Sequence, residues 1–384
     1  MGPDAGPILL VAGEASGDLH AARLLAELRR LVPEVQAFGL GGDHLAEAGL
    51  DRLADSGEIS VVGLSEVLRV LPRAREIFAG VLEEVERRRP ALAVLVDFPE
   101  FNLRLARALR ARGVRVVYYI SPQVWAWRRG RVRTIAEVVD LMLVFFPFEV
   151  DFYRRYGVDA VHVGHPLVDE IPELPHAWDR VPPGAAPEPY EVALLPGSRT
   201  SEVEALLPVM LGAVRRLAEE MPVFARLVLA PTIPRATVDE AITLSGLPVR
   251  VVAAADRSEA LAGSHFALCA SGTATLEVGL VGTPMAVLYR LGGWTYLMGR
   301  LLVRLPYVSL VNLVLERPAV PELLQGRATP EGVEAVVSGL LRDRGAVDAM
   351  RTALGELRGR LGERGASARA ARQVASRLGV EVPA

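Results

Sequence analysis

Short apolar runs recur along the chain, each closed by a turn and followed by a segment whose apolar positions return every three or four residues. In the first half the runs fall at 7–12 (PILLVA), 35–38, 91–96 (ALAVLV), 114–120, 141–145 and 160–163. In the second they fall at 192–195, 225–230, 249–252, 266–270 and 283–289. Apolar runs of this length without polar alternation predict strands buried on both faces, and the segments between them predict covering helices. The expected fold class is α/β, with two doubly wound parallel sheets. Helices are expected at 19–31, across 60–89 and from Ser201 onward, and beyond about residue 330 the pattern is helical and rich in Arg, Ala and Glu. Residues 171–189 hold proline after proline among polar residues and read as an interdomain linker.

The length of 384 residues is enough for two domains with substantial cores. A hydrophobic content of 51% with only 6% aromatics places the apolar mass in Leu, Val and Ala, as parallel strands under helices require. The net charge of −3 gives no basic field for nucleic acid. Every basic residue is Arg, which excludes mechanisms that need a lysine. The one cysteine, Cys269, lies in an apolar run and excludes disulfides and Cys-rich zinc sites. The apolar run at 8–12 is too short for a signal peptide, and 291–315 is broken by Arg300, Arg304 and Pro306. A cytoplasmic protein is expected, touching a membrane at most at its surface.

Candidate chemistry gathers at the ends of the apolar runs. The stretch 191–210 (EVALLPGSRTSEVEALLPVM) reads as strand, glycine turn and helix N-terminus, a geometry that turns backbone N–H groups toward an anion. Gly197 permits close approach to a phosphate and Arg199 offers a planar fork; a plain helix cap at Ser198 or Ser201 is the other reading. A second such joint, Ser271-Gly272-Thr273-Ala274-Thr275-Leu276-Glu277, follows the run at 266–270. In the first half Gly13-Glu14-Ala15-Ser16-Gly17-Asp18 closes the first run without matching the dinucleotide fingerprint. A second glycine turn is read at 39–42. Asp97 stands at the carboxyl end of the run at 91–96, both where ligands bind in open α/β sheets and where it heads the capping box Asp97-Phe98-Pro99-Glu100. Two tryptophans and three arginines at 125–131 could cradle a ligand or stack on the surface. The helix across 60–89 alternates apolar residues with Arg, and reads either as core-packed or as resting on an anionic membrane. No Asp-x-Asp pair and no metal-ligand spacing among the six histidines is present.

The motifs GEASGD (13–18), SVVGLSEVL (60–68), DFPEFNL (97–103), SPQVWAWRRGR (121–131), FPFE (146–149), VGHPLVD (163–169), LLPGSRTSEV (194–203), SGTATLE (271–277) and NLVLERPAVPELLQ (312–325) occur in this order. Together they resemble lipid-A-disaccharide synthase over nearly the whole chain. The resemblance implies the GT-B architecture, two Rossmann-like domains with the active site in the interdomain cleft. The domains are then 1–171 on the acceptor side, a linker at 172–189, and 190–350 for the UDP-sugar, with the helix 351–384 joining the first. It implies an inverting glycosyltransferase that joins UDP-2,3-diacylglucosamine to 2,3-diacylglucosamine 1-phosphate, giving a β-1,6-linked disaccharide 1-phosphate and UDP. No cofactor or metal is implied, and the location is the cytoplasmic face of the inner membrane.

By the same resemblance Asp97 is the general base. Gly197, Ser198, Arg199, Ser271, Gly272, Thr273 and Thr275 hold the diphosphate, Glu277 the ribose, and Asn312 belongs to the UDP site. Glu14, Ser16 and Asp18 line the acceptor side. Val67, Leu68 and Leu71, with Trp294 and Leu297, become contacts for a membrane or an acyl chain. The chain departs from the usual pattern at His20-Ala21 and at Gly41-Gly42-Asp43-His44-Leu45, which touches acceptor contacts and not the reaction. A UDP-N-acetylglucosamine 2-epimerase shares the fold, but its expected motifs are absent and it has no use for apolar, Arg-flanked surfaces. A sugar-nucleotide-binding protein without activity is the third reading, and the presence of Asp97 and Arg199 stands against it.

Overall fold

The computed structural model describes residues 6–59, 64–126, 130–182, 184–290 and 305–381, the side chains of 64–69 excepted. The chain forms two compact units, one of residues 1–166 with 362–384 and the other of 167–361.

In the first unit β1 (Ile8–Ala12) and β4 (Leu92–Val96) are buried along their whole length, as their unbroken apolar sequences require. They are joined by β2 (Ala37–Gly41), β3 (Asp51–Asp55), β5 (Arg115–Tyr119), β6 (Leu141–Val144) and β7 (Ala160–His162) in one parallel sheet of order β3-β2-β1-β4-β5-β6-β7. Alternate residues of each strand serve opposite faces. Leu9 and Val11 meet Ile77, Val81 and Val85 of α3 (Leu64–Arg88) and Leu105 and Leu109 of α4 (Pro99–Arg110). Ile8 and Leu10 meet Leu24, Leu25 and Leu28 of α1 (Ala15–Leu31). The segment 39–42, expected as a turn, instead lies largely in β2. Gly39 runs so close to β1 that a Cβ there would stand 2.1 Å from the Leu10 carbonyl oxygen, and its φ is +148°.

In the second unit β8 (Tyr190–Leu195), β9 (Val223–Val228), β10 (Val249–Val252), β11 (Phe266–Ala270), β12 (Met285–Tyr289) and β13 (Glu322–Leu324) form a parallel sheet of order β10-β9-β8-β11-β12-β13. One face is covered by Leu206, Met210 and Leu217 of α8 (Thr200–Glu220) and by Val333, Val337 and Leu341 of the helix Pro330–Arg342. Cys269 is buried in β11, as expected of an apolar run.

The proline-rich segment is not a free linker. Trp178 within it is 2% exposed and donates its indole N–H to the His265 carbonyl at 2.8 Å, so a large apolar side chain ties the segment to the second core. The tail also divides differently from the expectation. The helix Arg344–Leu361 stays with the second unit, where Leu357 packs against Gly279, and only Ala366–Arg377 belongs to the first. Two strands carry no apolar signal in the sequence, β3 with its aspartates and the three-residue β13; both are edge strands.

Both sheets reverse their strand order once, between β1 and β4 in the first and between β8 and β11 in the second. Ligands of open parallel sheets bind beyond the carboxyl ends of the strands at such a reversal. Ala12 pairs with Val96 and Leu195 with Cys269, so in each unit the two flanking turns open side by side.

Candidate active site

At the reversal of the first unit, Asp97 does not cap α4 as the sequence suggests. The cap position is Phe98, with Pro99 opening the helix, and Asp97 and Phe98 both have left-handed backbones, φ 45° and 48°. Two such residues in succession are costly for L-amino acids and persist where neighbours over-determine them. Here the Asp97 carbonyl accepts from Asn102 Nδ2 at 2.8 Å and from the Tyr118 hydroxyl at 2.6 Å, and Asn102 Nδ2 also donates to the Val96 carbonyl at 3.1 Å. The Phe98 ring lies over Gly13, where any Cβ would stand 2.1 Å from the ring. The backbone is thus held by Asn102, Tyr118 and the packing of Phe98 on Gly13. Burial first, and then the negative charge of Glu14, raise the Asp97 carboxyl from its ordinary 3.8 to about 6. Asn102 and Tyr118 had no role in the sequence reading. The signal for Asn102 was an amide among Phe101, Leu103 and Leu105 on the apolar side of a helix.

Glu14 and Ser16 are exposed beside this turn, but Asp18 is buried and has a different task. Its carboxylate accepts from the N–H groups of Gly42 (2.6 Å), His44 (3.0 Å) and Leu45 (3.3 Å), which caps the short helix Asp43–Glu47. Its carboxylate is thus engaged by three backbone donors of its own unit.

A second carboxyl of this unit, Glu149, is buried. It accepts from the Trp125 indole at 2.9 Å and from the Phe146 N–H at 3.1 Å, and desolvation raises it from 4.5 to about 7. Trp125 is therefore an inward anchor of its loop and does not stack on the surface, while Trp127, Arg128 and Arg129 lie outside the described residues.

At the reversal of the second unit, Gly197 takes φ +125° and the N–H groups of Ser198 and Arg199 converge on one point, filled by the carboxylate of Glu202. The Arg199 guanidinium reaches the same carboxylate at 2.8 Å with its side chain 76% exposed. The Thr232 hydroxyl, absent from the sequence reading, holds the Ser198 carbonyl at 2.7 Å. In the neighbouring turn Gly272 has φ +149° and faces open space, and Thr273 is exposed. The Ser271 hydroxyl donates to the Val308 carbonyl at 3.0 Å.

Three expected UDP contacts have partners within the second unit. The Thr275 hydroxyl is buried and donates to the Gly272 carbonyl at 2.7 Å. Glu277 pairs with Arg257. Asn312, 1% exposed, donates to the Val320 carbonyl and to Glu322 Oε1 and accepts from the Val320 N–H, all at 2.9 Å. Glu322 in turn accepts from the N–H groups of Val308 and Ser309, so Asn312 braces the loop that meets Ser271. Val67, Leu68, Trp294 and Leu297 lie outside the described residues or side chains, and Leu71 is half-buried on α3. Among the described residues no helix is long and apolar enough to cross a membrane, and no three His, Cys, Asp or Glu side chains could hold a metal ion together.

A sequence profile of the lipid-A-disaccharide synthetase family matches residues 8–370. The lipid-A-disaccharide synthase of Myxococcus xanthus is 48% identical over 370 residues, covering 96% of each chain. This chain belongs to the lipid-A-disaccharide synthase family. The synthase of Syntrophus aciditrophicus is 42% identical, covering 95% of this chain and 96% of its own. Family members are hexosyltransferases of lipid A biosynthesis, and the enzyme class follows. Among solved structures the fold is similar to MurG of Acinetobacter baumannii (TM-score 0.62, 12% identity, 96% of this chain and 99% of that one). It is also similar to S. aureus MnaA in its UDP co-structure (TM-score 0.64, 13% identity, 99% of each). These likenesses carry the two-unit GT-B fold expected of a lipid-A-disaccharide synthase, and nothing about its ligands.

Proposed function

We propose that this synthase transfers 2,3-diacylglucosamine from its UDP derivative to the 6-hydroxyl of 2,3-diacylglucosamine 1-phosphate with inversion, giving the β-1,6-linked disaccharide 1-phosphate and UDP. The observation that carries the reading is Asp97, a carboxyl fixed by a left-handed backbone at the sheet reversal and raised to about 6. At neutral pH it is mostly ionised yet basic enough to take a hydroxyl proton, the range in which general bases work best. The acceptor oxygen forms its bond to the anomeric carbon as its proton passes to Asp97, and the bond to the diphosphate oxygen breaks with its electron pair leaving on UDP.

The charge that builds on UDP needs donors fixed in advance. The N–H groups of Ser198 and Arg199, the Arg199 guanidinium and the open turn at Gly272–Thr273 supply them, with Gly197 and Ser271 shaping the approach. No metal or cofactor takes part in this scheme. Glu14 and Ser16 stand on the acceptor side. Because both substrates carry acyl chains, the reading includes attachment to the cytoplasmic face of the inner membrane, with the apolar, Arg-flanked start of α3 as the contact.

The test is turnover of both acylated substrates in detergent micelles, with and without EDTA, following UDP release and product mass. A disaccharide 1-phosphate that forms despite EDTA and is lost in Asp97→Ala supports the reading. UDP release without disaccharide overturns it in favour of an epimerase-like reaction.

A further inference from the structure

The turn assigned above to the UDP diphosphate already holds an anion of its own, and the inference drawn from it rests on that assignment. Glu202 Oε2 lies 3.1 Å from the Ser198 nitrogen and 3.3 Å from that of Arg199, and Oε1 lies 2.8 Å from the Arg199 guanidinium. The carboxylate is pressed against Gly197, where a Cβ would stand 2.5 Å from Oε2 and 2.7 Å from Glu202 Cβ. A glutamate three residues into a helix ordinarily reaches back to the N–H of the cap residue alone. This one also takes the N–H before it and the guanidinium, so the donors converging on this turn end on one carboxylate. Two planar oxygens on backbone N–H groups and an arginine fork are also how a phosphate is held.

We propose that Glu202 is a resident counter-anion of this turn. It keeps Ser198, Arg199 and the guanidinium converged while the site is empty, and it is exchanged for a phosphate of UDP on binding. Two anions cannot occupy the same N–H donors at hydrogen-bond distance, and at close range they repel, so the carboxylate must leave as the diphosphate arrives. The Thr232 hydroxyl on the Ser198 carbonyl anchors the turn from the other side, and the backbone keeps its shape through the exchange. Glu202 thereby weakens UDP binding, a property suited to an enzyme that must release UDP after each turn.

The experiment is calorimetric titration of the full-length protein and its Glu202→Gln variant with UDP, with uridine as the uncharged control and thermal unfolding as the check on folding. Glutamine keeps the length and one acceptor oxygen but removes the charge. The expected result is UDP binding tighter by about 3–10-fold in Glu202→Gln, with uridine unchanged. Unchanged or weaker UDP binding by the folded variant overturns the exchange and leaves Glu202 a helix cap or a brace for Arg199. A crystal of the unsubstituted protein with UDP tests it independently of the variant's folding. Glu202 should then lie beyond hydrogen-bond distance of the Ser198 N–H, and a carboxylate still in place overturns the proposal. Failure of the unsubstituted protein to bind UDP would instead overturn the nucleotide reading, and this inference with it.

Discussion

The two units share one strand order over six strands and one reversal point, yet their reversal points carry opposite chemistry. In the first, Glu14 and Asp97 put two acidic groups at the strand ends, and the nearby N–H groups of Gly42, His44 and Leu45 already hold the Asp18 carboxylate. In the second, glycines with positive φ turn N–H groups outward, with Arg199 beside them. Topology therefore decides where chemistry happens, and the three or four residues after each strand decide which. A carboxyl made basic by burial suits the abstraction of a proton, and a donor-rich turn suits a departing diphosphate.

The largest expected effect falls on the acidic side. Asp97→Asn should lower kcat by roughly 10²–10⁴-fold while UDP affinity stays the same. A matching loss of UDP affinity, measured by calorimetry, would break the division between the units. Next comes the brace of the donor side. Asn312→Ala leaves the buried Val320 N–H and part of Glu322 without partners, and should cost about 2–4 kcal/mol in urea unfolding. If it weakens UDP binding without destabilising the protein, Asn312 is a ligand contact after all.

Arg199→Ala should weaken UDP by roughly 10–100-fold, leave uridine binding alone, and barely change the unfolding midpoint, because the side chain is exposed. The smallest effect is on stability against pH. The folded pKa of Asp97 is raised, so its stabilisation is full below about 4 and is lost as pH rises through about 6. Asp97→Asn should then be more stable than the unsubstituted protein at pH 8 by ~1–3 kcal/mol, with the gap closing near pH 4. Glu149, raised from 4.5 to about 7, adds a second loss of the same sign at higher pH, which Glu149→Gln should remove.

The central strands and the two strand–turn–helix joints of the second unit were legible because burial on both faces demands unbroken apolar runs. Charged β3 and short β13 were not, since an edge strand is held by backbone pairing that side chains do not advertise. Gly39 was misread as a turn because glycine marks close backbone approach as well as reversal. At the site, the positions of Asp97, Gly197 and Arg199 at the two strand-order reversals were legible from the runs that precede them. What Asp18, Asn312 and Thr275 do was not, because a polar residue that contacts a ligand and one that satisfies buried backbone are the same letter. Trp178 in its proline-rich stretch is the same case, since its partner His265 lies far along the chain. Partners many residues away decide such cases.

The helix Ala366–Arg377 has a consequence for how the protein is made. Ala370, Ala371, Val374 and Ala375 complete the core around Ile8 and Leu10, and Arg369 donates to the Val163 carbonyl at 2.8 Å. During synthesis, a chain that has emerged as far as Leu361 holds every residue of the second unit. The first unit, begun earlier, still lacks its closing helix and shows an apolar face over β1 and α1. The part translated first is thus the part finished last, and that face is where a nascent chain of this protein needs shelter from aggregation.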